Sequence, residues 1–349
     1  MCRVISRSIA TPLEPVWRQC HASTLLIAPG GELLCAWFAG TAEGTEDNAI
    51  WLARGHRHGD GWTFGEPERM SERVDAHWNP VLGRAPDGGI SLFFKVGRPI
   101  SRWQTLVRRS PDGRVWSPST ELVPGDIGGR GPVKNPPIVA ADGTWVAPAS
   151  VESAEADGRP VVWDSFADIS SDSGDTWHRS ALIGIDHETF PGAGVIQPTM
   201  WVGCDGQIVA LLRSTSGFAW RSTSTDGGYS WTAAQPTSLP NNNSGLCAVA
   251  LPGGTVVCAH NTSGVSWGPR NELVLSGRRD DGVTWERLCV IDRLAGPDEV
   301  IQGKDAGVVT TGRSELSYPT VIVDSKHAGR VLVSYTRERR SIVVAALEV

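Results

Sequence analysis

Five cationic side chains, Lys95, Lys134, Arg213, Arg270 and Arg337, fall at or beside the ends of short apolar runs, in a chain whose formal net charge is −6. Six such runs open on His21, Asn79, Asn135, Gln197, Asn243 and Tyr318, and Glu152 and Asn261 close two of them. If these ends share one surface, an acidic protein has gathered cations there. Guanidinium forks match a carboxylate in bidentate fashion, and Asn and Gln amides suit hydroxyls. That combination points to a small anionic carbohydrate. Trp78 and Trp267 offer faces on which a sugar could stack, or simply pack into the core. Among proton carriers, His21 is suited to general-base work near neutral pH, and Glu43, Glu46 and Asp47 lie together in one loop. Polar strand ends that merely meet solvent would show the same residue types.

The elements that must position these residues come from a repeat. Ser170-Ser171-Asp172-Ser173-Gly174-Asp175-Thr176-Trp177 recurs as Ser224-Thr225-Asp226-Gly227-Gly228-Tyr229-Ser230-Trp231, and again over Arg278–Trp285. A shorter copy spans Ser110–Trp116 and a worn one His58–Trp62. The closing tryptophans stand at 62, 116, 177, 231 and 285, in steps of 54, 61, 54 and 54 residues. A fixed period of this size marks a repeat architecture. Within each copy Asp can cap its own backbone amides and Gly can take a positive φ, so the motif reads as a hairpin tip.

A second repeat interleaves with the first: a polar residue, an apolar strand, a Gly-containing turn and another apolar strand. Turns fall at Pro29-Gly30-Gly31, Asp87-Gly88-Gly89, Asp142-Gly143, Asp205-Gly206, Gly253-Gly254 and near His327-Ala328-Gly329. Short strands bounded by such turns are hairpins. Six of them predict an all-β, six-bladed β-propeller of four-stranded antiparallel blades, one domain over 1–349. The Asp-containing tips then belong to the outer hairpins of blades one to five. Blade six lacks one, and its outer strand is expected to come from Val4–Ile9 beside Ser341–Ala346, which joins the chain ends and removes free edges. A four-stranded meander puts the repeated tips on one face and the polar ends on the other.

The Ser-x-Asp-x-Gly-x-x-Trp pattern resembles the Asp-box of the sialidase (neuraminidase) superfamily, and over nearly the whole chain the sequence looks like its bacterial Asp-box-repeat members. That resemblance implies an exo-acting glycosidase that removes a terminal acidic sugar. It assigns the nucleophile position to Tyr318 in Ser-Tyr-Pro-Thr and two carboxylate-binding arginines to Arg213 and Arg270. The acid/base falls to Asp47, with Glu46 and Glu43 as rivals. Two positions depart from the family pattern. His21 stands where an arginine is usual, and Gln197 where a glutamate activates the tyrosine, a gap that Glu152 or Glu338 would have to fill. A histidine gained and a glutamate lost fit a uronate lyase as an alternative, with His21 or Tyr318 as base and Lys134, Arg213 and Arg270 neutralising the carboxylate. A non-catalytic glycan-binding propeller is the third reading.

The bulk properties narrow the rest. A pI near 5.8 argues against nucleic acid as a partner. No run of 18 apolar residues exists, so no membrane-spanning helix is expected. Seven cysteines without metal-ligand spacing are expected to be reduced and packed. With no secretory signal visible at the N-terminus, a cytoplasmic location is the expectation. Neither a cofactor nor a metal is implied.

Overall fold

A computed structural model describes residues 2–153, 161–278, 284–295, 302–304, 307–309 and 314–349. Six four-strand meanders form a six-bladed β-propeller. Blade one comprises Gln19–Ile27, Leu33–Gly40, Ala49–His58 and Gly61–Phe64, and the later blades repeat this order outward from the channel. The second strands, such as Leu33–Gly40 and Ile90–Val96, are buried along their whole length. Neighbouring blades cover both their faces, which is why these segments read as unbroken apolar runs instead of alternating ones. Blade-to-blade packing supplies the core, with Trp37, Phe93 and Trp145 among its largest fully buried side chains.

The repeated tips are the expected turns. Asp172 Oδ1 accepts from Ser170 Oγ at 2.7 Å and from the Thr176 amide at 2.9 Å, while the Gly174 amide donates to Ser170 Oγ at 2.8 Å. Asp226 repeats this with Ser224 and Ser230. Gly174 has φ +99°, and a Cβ there would stand 2.9 Å from the Trp145 ring, so the tip needs glycine for its backbone and for its seat on the neighbouring strand. The copy ending at Trp285 lies largely outside the described residues, as does most of the Gly- and Asp-rich loop between Leu294 and Glu315.

Ring closure follows the sequence expectation. Arg3–Ile9 pairs antiparallel with Ser341–Glu348 as the outer strand of blade six. One consequence was not expected from the cysteine count: Cys2 and Cys289 are joined in a disulfide, not reduced. The outer strand of blade five, Glu286–Arg293, runs beside the N-terminal strand and brings together two positions 287 residues apart in sequence. Neither cysteine sits near a motif that would betray the pairing. A loop of that length makes the crosslink worth up to about 5 kcal/mol in the chain-entropy account. Reductant is therefore expected to lower the melting temperature by several degrees, and a Cys2→Ser/Cys289→Ser variant should melt at the reduced temperature whether or not reductant is present, as differential scanning calorimetry would show.

Candidate active site

The innermost strands enter the channel with a shared distortion. Their ladders skip register between His21 and Thr24, Trp78 and Val81, Ile196 and Thr199, and Ser317 and Thr320. Each bulge opens on a residue with positive φ: Ala22 at 54°, Asn79 at 42°, Gln197 at 52° and Tyr318 at 51°. Asn243 at 58° and Lys134 at 68° take a similar conformation at the entries of blades five and three. Bulges re-aim side chains, and non-glycine residues with positive φ cost about 1–3 kcal/mol and gather at functional sites. Here they bring Gln197, Asn243 and Tyr318 together on Arg213. In blade one the matching position is Ala22, so His21, which opens that run in the sequence, stands one residue before it.

Arg213 is the hub of the mouth and is 3% exposed. Its Nε donates to Asn243 Oδ1 at 2.9 Å, and its Nη1 donates to Gln197 Oε1 at 2.9 Å and to Tyr318 Oη at 2.7 Å. Trp163, Trp267 and Tyr318 present their rings at 5.4, 5.8 and 5.8 Å. All these partners are neutral, and Arg213 has no salt-bridge partner among the described residues. Beside it Arg270 donates to Glu315 Oε1 at 3.3 Å and to the Asn243 carbonyl at 3.2 Å. Glu315 also accepts from Arg339 Nε at 2.9 Å and from Ser317 Oγ at 2.6 Å, and Arg339 Nη1 reaches Glu43 at 2.6 Å.

Electrostatics follow from this layout. Burial alone would raise the Glu315 carboxyl, but Arg339 and Arg270 outweigh it and hold it well below the usual range. Burial likewise opposes the charge of Arg339, yet Glu315 and Glu43 keep its guanidinium above its ordinary value. His21 is 1% exposed. Burial, then Arg339, push its imidazole well below the usual value, with only partial opposition from Glu315, so the ring is neutral at physiological pH. Its Nδ1 lies 3.0 Å from Thr336 Oγ1, and its ring centre stands 4.4 Å from that of Tyr318. The Glu152 carboxyl, partly buried in blade three, is raised by desolvation to about 6, against the pull of Arg213. While Glu152 keeps its proton, arginines 213, 270 and 339 against glutamates 43 and 315 leave one positive charge in excess, which the ionised Glu152 would offset. Arg270 Nε, Asn243 Nδ2, Asn242 Oδ1 and Ser244 Oγ are buried without a hydrogen-bond partner among the described residues, and buried polar atoms normally have partners. The mouth thus holds a buried guanidinium whose hydrogen-bond partners are all neutral, together with polar atoms that lack a partner.

Not every residue singled out from sequence joins this cluster. Lys95 is wholly buried in the blade wall, where its ammonium donates to Thr105 Oγ1, Gly129 O, Arg130 O and Gly131 O at 2.8–3.1 Å. With its acceptors supplied by the protein, it does not present a cation to the mouth. Asn135 ties blade three to blade four through the Gln197 and Pro198 carbonyls at 3.1 and 3.0 Å. Arg337 is still on its strand, opposite Leu316 and Ser341, and points outward to Asp292 at 3.8 Å. Asp47 lies in an exposed turn and accepts from the Thr41 amide, from Thr41 Oγ1 and from Thr45 Oγ1. These bonds, that from Thr45 foremost, lower its carboxyl, which keeps it ionised as a turn-former with no proton to give near neutral pH. Its rival Glu43 is the loop carboxylate that reaches an arginine of the mouth. Lys134 lies in the channel beneath the cluster.

Arg339 and Glu315 escaped the sequence reading. Arg339 sits in a three-residue hairpin loop, Glu338-Arg339-Arg340, whose first two residues have φ 53° and 55° and whose Arg340 amide closes onto the Arg337 carbonyl at 3.0 Å. Such turns normally carry Asn-Gly or a similar pair. The signal available was the run Arg337-Glu338-Arg339-Arg340 at a hairpin tip, with nothing in it that favours positive φ.

Comparison with known proteins bears on the scaffold. A crystal structure of a Dyadobacter fermentans protein of unknown function superposes with a TM-score of 0.72 at 18% identity, covering 100% of this chain and 99% of that one. Trypanosoma rangeli sialidase in complex with the inhibitor DANA gives 0.64 at 14% identity over 99% of this chain, which spans 58% of that protein. Penicillium chrysogenum α-L-arabinanase complexed with arabinobiose gives 0.64 at 13% identity, covering 99% and 98%. At these identities the likeness is one of fold. No curated protein sequence matches the chain. The BNR repeat-like domain model, by contrast, matches residues 31–333, which contain all five Asp-tip copies. The chain belongs to the BNR repeat-like family, on a sialidase-like propeller.

Proposed function

We propose that the mouth binds a small acidic sugar by its carboxylate and acts on it as an exo-glycosidase. The observation that carries this reading is Arg213, a buried guanidinium with neutral partners only, in a cluster one positive charge in excess. Burying an unpaired charge costs several kcal/mol, and a ligand carboxylate bridging Arg213 to Arg270 and Arg339 would offset that cost. Trp163 and Trp267 line the guanidinium and offer faces to a sugar ring, while the unpartnered amide and hydroxyl groups suit its hydroxyls. A solved sialidase on the same fold holds an inhibitor, which agrees with a carbohydrate ligand.

In this reading Tyr318 attacks the anomeric carbon, held in place by its bulge and by the Arg213 contact. Glu152, with its carboxyl near 6, is the proton carrier for the leaving oxygen. His21, neutral and packed on the tyrosine ring, takes the phenol proton in this reading. A pH prediction follows with a definite sign. Glu152 is raised, so it holds its proton below about pH 6 and loses it above. kcat/KM, which reports the free protein, should therefore fall on a basic limb with a midpoint near 6, and kcat on one somewhat higher, because a bound carboxylate would cancel the pull of Arg213. Glu152→Gln should lower kcat/KM by roughly 100-fold or more and abolish that limb; a limb that survives would remove Glu152 from the chemistry.

Neutral His21 beside Tyr318 also favours a second reading, β-elimination next to a uronate. Product analysis on sialyl- and uronyl-terminated oligosaccharides separates the two. Products that have gained a water without new near-ultraviolet absorbance support hydrolysis. Unchanged total mass with an unsaturated-uronate band supports elimination and overturns the glycosidase reading.

A further inference from the structure

Lys134 has no part in the site just described, yet it is 2% exposed and reaches across the channel. Its ammonium donates to Asn135 Oδ1 in blade three at 2.9 Å, to the Leu246 carbonyl at the entry of blade five at 2.9 Å, and to the Pro319 carbonyl in blade six. Three protons meet three acceptors, so the lysine is satisfied by the protein and has nothing left for a ligand. Pro319 is the residue after Tyr318 and forms the second half of its bulge. A Cβ added at Gly245 would stand 2.9 Å from Lys134 Cε and 3.3 Å from Tyr318 Cγ, so lysine stem and tyrosine ring press on the same glycine from two sides.

We propose that Lys134 is a positioning residue for Tyr318: a buried strut that pulls the Tyr318-Pro319 bulge toward blades three and five and so sets the height and tilt of the phenol at the mouth. That it matters for turnover rests on the role given to Tyr318 above; that it sets the tyrosine's place does not. The strut is released by deprotonation. Burial lowers the lysine to about 8, with Cys247 and Cys258 opposing and Arg213 adding to the shift. The other groups around Tyr318 are Arg213, Arg270 and His21, whose imidazole burial keeps neutral.

Three tyrosines make the test direct. Ring-labelled [13C]tyrosine gives resonances for Tyr229, Tyr318 and Tyr335, assigned with Tyr318→Phe. In the unaltered protein the Tyr318 resonance is expected to shift in one step centred near pH 8, while that of exposed Tyr229 does not. Lys134→Met should displace the resonance at pH 7 and remove the step, and Gly245→Ala should displace it while the lysine is retained. A Tyr318 resonance without a step near pH 8 in the unaltered protein overturns the proposal even if Lys134→Met fails to fold. So does a step that persists in Lys134→Met. In turnover assays kcat is expected to fall about 10-fold or more in Lys134→Met with KM little changed, in line with misplacement of a reacting group. If the resonance behaves as expected while Tyr318→Phe and Lys134→Met both retain full turnover, the strut stands and the catalytic role of Tyr318 falls.

Discussion

Arg213→Met is expected to weaken binding of an acidic sugar by at least about 30-fold and to bring turnover below detection. Arg213 is the one arginine of the mouth whose protein partners are all neutral, so its charge is the one left for a ligand. Removing one member of a buried, hydrogen-bonded charge pair costs about 2–5 kcal/mol, which corresponds to roughly 30- to 5000-fold in affinity. Arg213→Lys keeps the charge but loses the planar fork that holds Asn243, Gln197 and Tyr318 together. It should fall between the two, with the larger share of its loss in kcat, because the Tyr318 contact goes with the fork. Fluorescence or calorimetric titration with a free acidic monosaccharide checks the first effect, and steady-state kinetics the second. Equal affinity of Arg213→Met and the unaltered protein would mean that the carboxylate does not dock here.

The second large effect is on stability. Glu315→Gln should cost about 3–5 kcal/mol, since it leaves Arg270 and Arg339 as buried cations without their shared carboxylate. Chemical denaturation should show the midpoint falling with little change in slope. The pH dependence has a fixed sign. The folded-state carboxyl lies well below its unfolded value near 4.5, so its contribution is complete above that pH and is lost as pH falls toward the folded value. The unaltered protein should therefore lose stability in acid more steeply than Glu315→Gln, and the two curves should converge at low pH. A Glu315→Gln protein as stable as the parent at pH 7 would show that Arg270 and Arg339 do not depend on this carboxylate.

What the sequence made legible follows from how local each signal is. Asp-Gly and Gly-Gly turns, and Asp caps closing on tryptophan, act within a few residues, and they specified blade number, strand order and ring closure correctly. The strand entries were found for the same reason, since a polar residue before an apolar run is a local pattern. Direction was less accessible. Lys95 and Arg213 both end second strands, but one turns into the wall and the other into the mouth, and only neighbouring blades decide which. Arg337 and Arg339 differ by two residues, and a hairpin turn made without glycine aims the second inward. His21 precedes the equivalent position by one residue, and blade one carries Ala22-Ser23 where four other blades have a residue followed by proline. The Cys2–Cys289 bond depends on where the closed ring brings the N-terminal strand, which no spacing rule encodes.

The central claim is that one carboxylate fills the excess charge of the mouth. The most direct measurement is isothermal titration of the unaltered protein and Arg213→Met with sialic acid and with glucuronic acid, each alongside its methyl ester. The account predicts saturable one-to-one binding of at least one free acid, no measurable binding of the corresponding ester, and loss of acid binding in Arg213→Met. An ester that binds as tightly as its acid, or an acid that binds Arg213→Met as tightly as the parent, would contradict it.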